Sequence, residues 1–391
     1  MKIEAVDFFY LAMPSVTSEG DGSQDTLLVR VAAGGHIGWG ECEASPLVSI
    51  AAFVTPMSHG ACRPVSDSVL GQPIDGPDDI ARMAAAITWN SMDLLQAPHT
   101  WSGVEIALWD LLGRVRGEPV WKMLGFRRSK PKIPYASILF ADDPQETLRR
   151  GRAARCEGFA AAKFGWGPIG RGTLEDDADQ FAAAREGLGP EGVLLVDAGQ
   201  IWGEDVEAAA ARLPALEAQS AVWLEEPFAG EAVAAYRALA SRGSNVKLAG
   251  GEASHNIHMG RRLVQDGGIG FLQIDCGRVG GIGPARVLAA FARKSGVTFV
   301  NHTFTSHLAL SASMQPYAGA EEDELCEYPF APKPLARDLT TTHMVPDAHG
   351  RVSAPEAPGL GMDIDLATVA RYLVDLEIKV SGRTLYATPA I

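Results

Sequence analysis

The sequence has no block of lysine and arginine residues, in spite of its length and its many charges. Its 391 residues carry 48 acidic and 34 basic side chains, which gives a formal net charge of −14. Proteins that follow a phosphate backbone present clustered positive charge. This composition argues against a nucleic-acid partner, and most of the acidic excess is expected on solvated helix surfaces.

Cysteine pairs and long hydrophobic runs are also missing. The five cysteines are odd in number, widely scattered and never in a CxxC pair, which argues against a disulfide framework and against a zinc knuckle. No run of about 18 apolar residues occurs, and the first residues lack a basic segment followed by a long apolar core. We therefore predict a cytoplasmic protein with no membrane partner.

No glycine-rich phosphate-binding fingerprint opens a helix. The stretch GRVGGIG at 277–283 contains glycines, but it does not fit the order of strand, tight turn and helix that a dinucleotide site requires. The chain is nevertheless long enough, at 47% hydrophobic residues, for one large core and a smaller one. We expect two domains.

The first hundred residues read as a small α+β unit. Two β-like runs, 25–35 and 36–44, meet at Gly34 and Gly35 and predict a hairpin, and 77–89 predicts a helix that begins at a proline. The polar, glycine-containing segment 15–25 predicts a mobile loop near a ligand, because such loops often close over bound molecules.

From residue 135 onward, short apolar segments alternate with amphipathic helical segments. This alternation predicts a parallel sheet covered by helices, and eight units suit a closed barrel better than an open doubly wound sheet. We therefore predict an α/β fold, a (β/α)8 barrel. The candidate strands are YASILF, AAAKF, VLLVD, AVWLE, VKLAG, FLQID, VTFVN and a weak last one at ELCEY.

Ionisable residues recur where these candidate strands end. In order along the chain they are Lys163, Asp197, Glu225, Glu252, Asp275, His302 and Glu327, separated by 34, 28, 27, 23, 27 and 25 residues. Taken alone, any one of them is explained as a charged residue at a solvated strand end, or as a buried polar residue whose hydrogen bonds are satisfied. Each interval matches one βα unit, however, and barrel enzymes carry their active sites at these strand ends. The repeated spacing favours a functional site.

Three consecutive carboxylates, Asp197, Glu225 and Glu252, would converge with no basic residue between them. Such a cluster repels itself unless a hard cation is present, and oxygen ligands favour Mg²⁺, or Mn²⁺, over zinc. The sequence therefore predicts a metal site. Glu226, beside Glu225, is expected to support the site or to face the core.

Lys163 and His302 are the candidate proton carriers. Burial and a nearby cation are expected to disfavour the charged form of Lys163 and make it a usable base. Asp275, one strand before His302, is placed to hold the imidazole and raise its basicity.

The motifs AAAKF, LLVDAGQ, WLEEP, AGGEAS, LQIDCGRVGGIG, VNHT and LCEYP, with GVEIALWDLLGRVRGEPVWKMLG before them, resemble the mandelate racemase branch of the enolase superfamily. The resemblance covers nearly the whole chain. It implies an α+β capping domain at 1–125, a modified (β/α)8 barrel at 126–340 and a segment at 341–391 that returns to the capping domain.

The resemblance also implies roles for the strand-end residues. It implies that Asp197, Glu225 and Glu252 bind magnesium. It implies acid/base chemistry for Lys163 and for the dyad of Asp275 and His302. Glu327 would form a hydrogen bond with the enolate oxygen. One position departs from the family pattern, because Ala161 replaces the first lysine of the usual Lys-x-Lys pair. That lysine helps to bind the substrate carboxylate or to lower the pKa of its neighbour.

The reaction that the resemblance implies is removal of a proton α to a carboxylate. The polar loop 15–25 favours a hydroxylated ligand, and hence dehydration of an aldonic or aldaric acid to a 2-keto-3-deoxy acid. A racemase, epimerase or cycloisomerase would use the same residues, and a non-catalytic metal-binding homologue is a further alternative. We expect a small carboxylate as the substrate and a homo-oligomeric protein.

Overall fold

The N-terminal part of the chain is a three-stranded antiparallel sheet packed against helices. The computed structural model describes residues 1–42 and 45–391. The predicted hairpin at Gly34 and Gly35 is present, and the last two residues of its second run, 43 and 44, lie outside the described residues. The elements are β1 (Ile3–Ala12), β2 (Asp25–Ala33), β3 (His36–Cys42), α1 (Pro46–Val54), α2 (Pro77–Asn90), α3 (Ala97–Arg116) and α4 (Val120–Met123).

Helix α3 lies unusually close to strand β3 because the strand offers glycines to it. A Cβ atom at Gly38 would lie 2.1 Å from the carbonyl oxygen of Ala107, and one at Gly40 would lie 2.3 Å from that of Gly103. The helix ends at Gly117, in the left-handed conformation (φ 67°) that favours glycine at this position.

Eight parallel strands form a nearly closed barrel, which confirms the predicted fold class. The hydrogen-bonded order runs from β10 down to β4 and then to β11, so the weakly predicted last strand is part of the sheet. The strands are β4 (Ile133–Leu139), β5 (Ala161–Gly165), β6 (Val193–Asp197), β7 (Trp223–Glu225), β8 (Lys247–Gly250), β9 (Phe271–Ile274), β10 (Thr298–Asn301) and β11 (Leu325–Pro329). The helices between them are α5 (Pro144–Cys156), α6 (Leu174–Leu188), α7 (Val206–Ala210), α8 (Leu213–Ala218), α9 (Val233–Ala240), α10 (Ile257–Asp266), α11 (Ile282–Lys294) and α12 (His307–Met314).

A side chain bridges the seam between β10 and β11, where the order of paired strands ends. Asn301 accepts a hydrogen bond from the backbone N–H of Glu327 (3.0 Å) and donates one to its carbonyl oxygen (3.2 Å). The amide of Asn301 thus supplies the donor and the acceptor that a neighbouring backbone would offer. It fixes β11 at Glu327, the middle residue of the strand.

The N-terminal unit is joined to the barrel through a buried carboxylate. Glu105 on α3 accepts hydrogen bonds from the backbone N–H groups of Ile282 (2.7 Å) and Gly283 (2.8 Å). These are donors at the first turn of α11, where a helix leaves N–H groups without intrahelical partners. Glu105 therefore fixes the loop between β9 and α11 against the N-terminal helix.

The end of the chain packs against the first strand. After α13 (Pro334–Asp338) come α14 (Leu366–Tyr372) and a hairpin of β12 (Glu377–Val380) and β13 (Arg383–Ala387). The backbone N–H of Val374 donates to the carbonyl oxygen of Tyr10 (2.8 Å), and the Tyr386 hydroxyl donates to that of Phe8 (2.6 Å). Within the described part of the chain, no helix combines the length and the apolar character needed to cross a membrane.

Candidate active site

The seven residues predicted at the strand ends meet at the carboxyl-terminal end of the barrel. Four of them line a cavity of about 600 Å³, and the other three are buried directly against those four. The lining residues are Lys163, Asp197, Glu252 and His302, and the residues behind them are Glu225, Asp275 and Glu327. Parallel strands bring their carboxyl ends to one face, which explains why residues so far apart in the chain converge.

Asp197, Glu225 and Glu252, called the acidic triad from here on, offer oxygen atoms that all lie within 4.8 Å of one another. Asp197 and Glu225 are paired residues at the ends of β6 and β7. Gly165, opposite Asp197 on β5, makes room for the carboxylate, because a Cβ atom there would lie 2.9 Å from Asp197 Oδ2. The glycine at position 165 therefore leaves space for the carboxylate of Asp197.

Burial and mutual repulsion disfavour the charged forms of two triad members. Burial, with Glu252 and other carboxylates nearby, raises the pKa of Asp197 to about 7 and that of Glu225 to about 8, although Lys163 opposes both shifts. Glu252 behaves differently, because the positive charges of His302, Arg278 and Lys163 outweigh its burial and lower its pKa. Three convergent carboxylates of this kind fit a hard divalent cation such as Mg²⁺.

Lys163 is buried among acidic groups on the inner face of β5. Its Nζ atom lies 2.8 Å from Glu225 Oε1, 2.7 Å from Glu327 Oε1 and 3.7 Å from Asp197 Oδ2. Burial acts to lower the pKa of Lys163, but these carboxylates outweigh it and hold the pKa well above its ordinary value. The expected depression depended on a cation held by the triad, and the carboxylates alone have the opposite effect.

His302 follows β10 and bonds to carboxylates through both ring nitrogens. Nδ1 lies 2.8 Å from Asp275 Oδ2, and Nε2 lies 3.0 Å from Glu252 Oε2. Burial acts to lower the pKa of His302, but Glu252, Glu327 and Asp275 have the opposite and larger effect. The pKa therefore stands well above its usual range. The predicted contact between Asp275 and the imidazole is present.

Glu327 lies between Lys163 and His302. Its Oε1 atom contacts Lys163 and accepts a hydrogen bond from the Ser137 hydroxyl (2.9 Å). Its Oε2 atom accepts one from the backbone N–H of Thr303 (2.8 Å) and lies 3.9 Å from His302 Nε2. The carboxylate is thus held at a fixed position between the lysine and the imidazole.

Ala161 lies one layer below Lys163. It packs with the buried side chains of Leu195, Trp223 and Val300 in an apolar layer that fills the barrel beneath the site. The cation that the family pattern places at this position is therefore replaced by hydrocarbon. The charge at Lys163 depends on the carboxylates around it and on any metal that they hold.

Residues that sequence reasoning did not single out complete the cavity. Arg278 in the loop after β9 lies 3.3 Å from Glu252 Oε1, and Trp166 follows β5 directly. The polar loop 15–25 lies over the mouth, where Glu19 and Asp21 approach Lys333 within 3.6 and 3.5 Å. Arg278 and Trp166 each follow a strand end within a few residues, so the strand-end rule could have found them.

Comparison with known proteins shows two family models that match the chain. The family described as the mandelate racemase / muconate lactonizing enzyme N-terminal domain matches residues 9–125, and the enolase C-terminal domain-like family matches residues 146–368. A 3,6-anhydro-α-L-galactonate cycloisomerase from Streptomyces coelicolor is 32% identical over 70% of this chain and 72% of its own length. An L-talarate/galactarate dehydratase from Salmonella typhimurium is 28% identical over 65% of this chain and 63% of its own length.

A solved structure is similar throughout. It is a protein from Rhodobacter sphaeroides, described as a predicted mandelate racemase, with 66% identity and a TM-score of 0.95 over 100% of both chains. Matches to both family domains leave little of the chain outside them. The chain belongs to the mandelate racemase and muconate lactonizing enzyme family, within the enolase superfamily.

Proposed function

We propose that the protein dehydrates a sugar acid, an aldonate or an aldarate, to a 2-keto-3-deoxy acid. The observation that carries this proposal is the position of two candidate proton carriers, Lys163 and His302, in one polar cavity, on either side of the acidic triad. Lys163 comes from β5 and contacts Glu225, whereas His302 comes after β10 and contacts Glu252. A dehydration needs one group to take a proton and another to give one.

In this reaction the bond between the α carbon and its hydrogen breaks, and the proton passes to Lys163 or His302. The bond between the β carbon and its hydroxyl then breaks, and the other carrier protonates the hydroxyl, which leaves as water. The resulting enol loses the proton of its hydroxyl group and takes up a proton at the β carbon, which gives the 2-keto-3-deoxy acid. Which group acts as the base depends on the configuration of the substrate.

The remaining residues would bind and orient the substrate. Asp197, Glu225 and Glu252 would hold Mg²⁺, which supplies positive charge beside the carboxylate of the substrate and so favours the loss of the α proton. Glu327 is proposed to face the oxygens of the enolate, since it lies between Lys163 and His302. Asp275 would keep the imidazole of His302 in one orientation.

A cycloisomerase is the second candidate, supported by the similarity to the Streptomyces coelicolor cycloisomerase. That reaction would use the same two carriers, but the group that leaves the β carbon would be an oxygen of the substrate's own ring. The product would then be an isomer of the substrate, and no water would be released.

Assay of a panel of aldonic acids, aldaric acids, their lactones and 3,6-anhydro acids tests the proposal. We expect a 2-keto-3-deoxy product from at least one open-chain acid in the presence of Mg²⁺. When the reaction runs in D₂O, the product should carry deuterium at carbon 3. A product of the same mass as its substrate, obtained only from lactones or anhydro acids, would favour the cycloisomerase instead.

A further inference from the structure

We infer that Trp166 sets the length of acid that the site accepts, by closing the active cavity against a second cavity beside it. This inference builds on the proposed function, because it concerns the part of the substrate far from its carboxylate. It depends on the shape of the cavity wall and not on the reaction that follows.

The second cavity has a volume of about 740 Å³ and contains none of the seven strand-end residues. It shares a wall with the active cavity, formed by Glu19, Gly20, Leu139, Arg150 and Trp166. Its remaining lining includes the exposed Asp142 and Asp179, whose carboxylates can accept hydrogen bonds from hydroxyl groups. The second cavity therefore suits a polyhydroxylated group.

The indole of Trp166 is held in this wall by two glycines. A Cβ atom at Gly20, in the loop over the mouth, would lie 3.1 Å from Trp166 Cδ2, and one at Gly199 would lie 2.8 Å from the same atom. Both glycines allow the ring to fit closely. The wall thus joins the polar loop, the end of β5 and the turn that follows Asp197.

The backbone of Trp166 is also unusual. Its φ angle is 59°, in the left-handed region that bulky side chains rarely adopt, and its N–H donates to the carbonyl oxygen of Asp197 (3.2 Å). Such strain persists where the surrounding structure enforces it, often at functional sites. A glycine would adopt the same backbone conformation without strain, so the indole is not needed for the fold of this turn.

The other shared residues are poorly suited to act as the barrier. Arg150 donates to the carbonyl oxygen of Leu139 (2.8 Å) and contacts Glu146 (3.3 Å), so it belongs to the packing of α5. Glu19 is largely exposed and approaches Lys333. Trp166 has the largest side chain of the five, and its removal would connect the two cavities.

The test compares the wild-type protein with Trp166→Gly and with Trp166→Phe, which keeps a ring in the wall. Each six-carbon aldonic acid of the panel is paired with its 6-O-glycosyl derivative, for example D-gluconate with melibionate. Binding to the Mg²⁺-loaded protein is measured by calorimetry, and turnover is measured in parallel. A crystal structure of Trp166→Gly shows whether the two cavities join.

We expect the wild-type protein and Trp166→Phe to prefer the shorter acid of each pair, and Trp166→Gly to reduce that preference by about tenfold or more. The inference is overturned if the wild-type protein binds both members equally, if Trp166→Gly keeps the wild-type preference, or if the cavities stay separate without the indole. A panel in which no acid yields product would contradict the proposed function, while the binding ratios would still decide the role of Trp166.

Discussion

At the residue scale, Glu226 organises the acidic triad without belonging to it. Its Oε1 atom accepts long hydrogen bonds from the backbone N–H groups of Gly251 (3.5 Å) and Ala253 (3.4 Å), on both sides of Glu252. Gln200 donates to its other oxygen. Burial, with Glu252 nearby, raises the pKa of Glu226 to about 7. Glu226 thus supports the loop that presents a triad member, as its position beside Glu225 suggested.

Glu226→Ala should weaken Mg²⁺ binding by about 10- to 100-fold, the usual cost of losing a group that orients a metal ligand. The physical reason is that the 251–253 loop would lose the acceptor for its N–H groups. Titration calorimetry measures the effect. Glu231→Gln, which changes an exposed glutamate nearby, is the control and should bind as the wild type does. Equal affinities for Glu226→Ala and the wild type would contradict the supporting role.

Residue identities at the strand ends could be predicted, whereas their partners could not. The spacing of one βα unit located Lys163 and His302, because it depends only on the local repeat of the chain. The contact of Glu327 with Lys163 joins residues 164 positions apart and exists only because the barrel closes. The carboxylates that raise the pKa of Lys163 are reached only through such contacts, so their effect could not be predicted from the sequence. The lowering of this pKa by a bound cation stays a prediction.

At the element scale, the barrel closes through a side chain at its seam. Asn301 donates to the Ser313 hydroxyl (3.0 Å) and accepts from the Tyr317 hydroxyl (2.7 Å), in addition to its two bonds to the backbone of Glu327. No sequence pattern marked this residue, because an asparagine at the end of a strand also fits an ordinary turn. Its role becomes visible only when β10 and β11 are side by side.

Asn301→Ala should lower the urea midpoint of unfolding and also reduce kcat. Each buried group left without a partner costs about 1–3 kcal/mol, and Glu327 would lose its fixed position. Asn245→Ala, at an exposed asparagine, serves as the control for stability. The seam account fails if Asn301→Ala unfolds at the wild-type midpoint and keeps the wild-type kcat.

At the scale of the whole molecule, the strand ends concentrate negative charge in a buried ring. In the metal-free chain, burial and repulsion raise the pKa of Asp197 to about 7 and that of Glu225 to about 8. A bound divalent cation requires the ionised carboxylates, so binding near neutral pH must release protons. Metal binding and proton release are therefore coupled.

We expect the affinity for Mg²⁺ to fall as the pH is lowered from 8 to 6, by about tenfold per pH unit for each proton released. The sign follows from the raised pKa values, because Asp197 and Glu225 are protonated below them and must lose these protons before they can bind a cation. Calorimetry at pH 7 in two buffers of different ionisation enthalpy counts the protons. Buffer-independent heats with a constant affinity from pH 6 to 8 would contradict the coupling.

The capping unit, the barrel and the site depend on one another in ways that only partly follow from sequence. The resemblance implied a capping domain and a modified barrel, and the two matched family domains and the observed barrel agree with it. The bonds from Glu105 to the first turn of α11 and the wall formed by Trp166 depend on how distant segments meet. These contacts could be identified only in the folded structure.

The most direct test of the account is exchange of the α proton with solvent deuterium in Lys163→Ala and His302→Asn, with the acid selected by the panel. We predict that product formation falls in both variants, by about 10²- to 10⁴-fold, and that exchange survives in the one variant that keeps the abstracting base. Lys247→Ala and His258→Asn, which change exposed residues, should behave as the wild type does. Wild-type turnover and exchange in both variants would contradict the assignment of two separate proton carriers and leave the fold without its proposed chemistry.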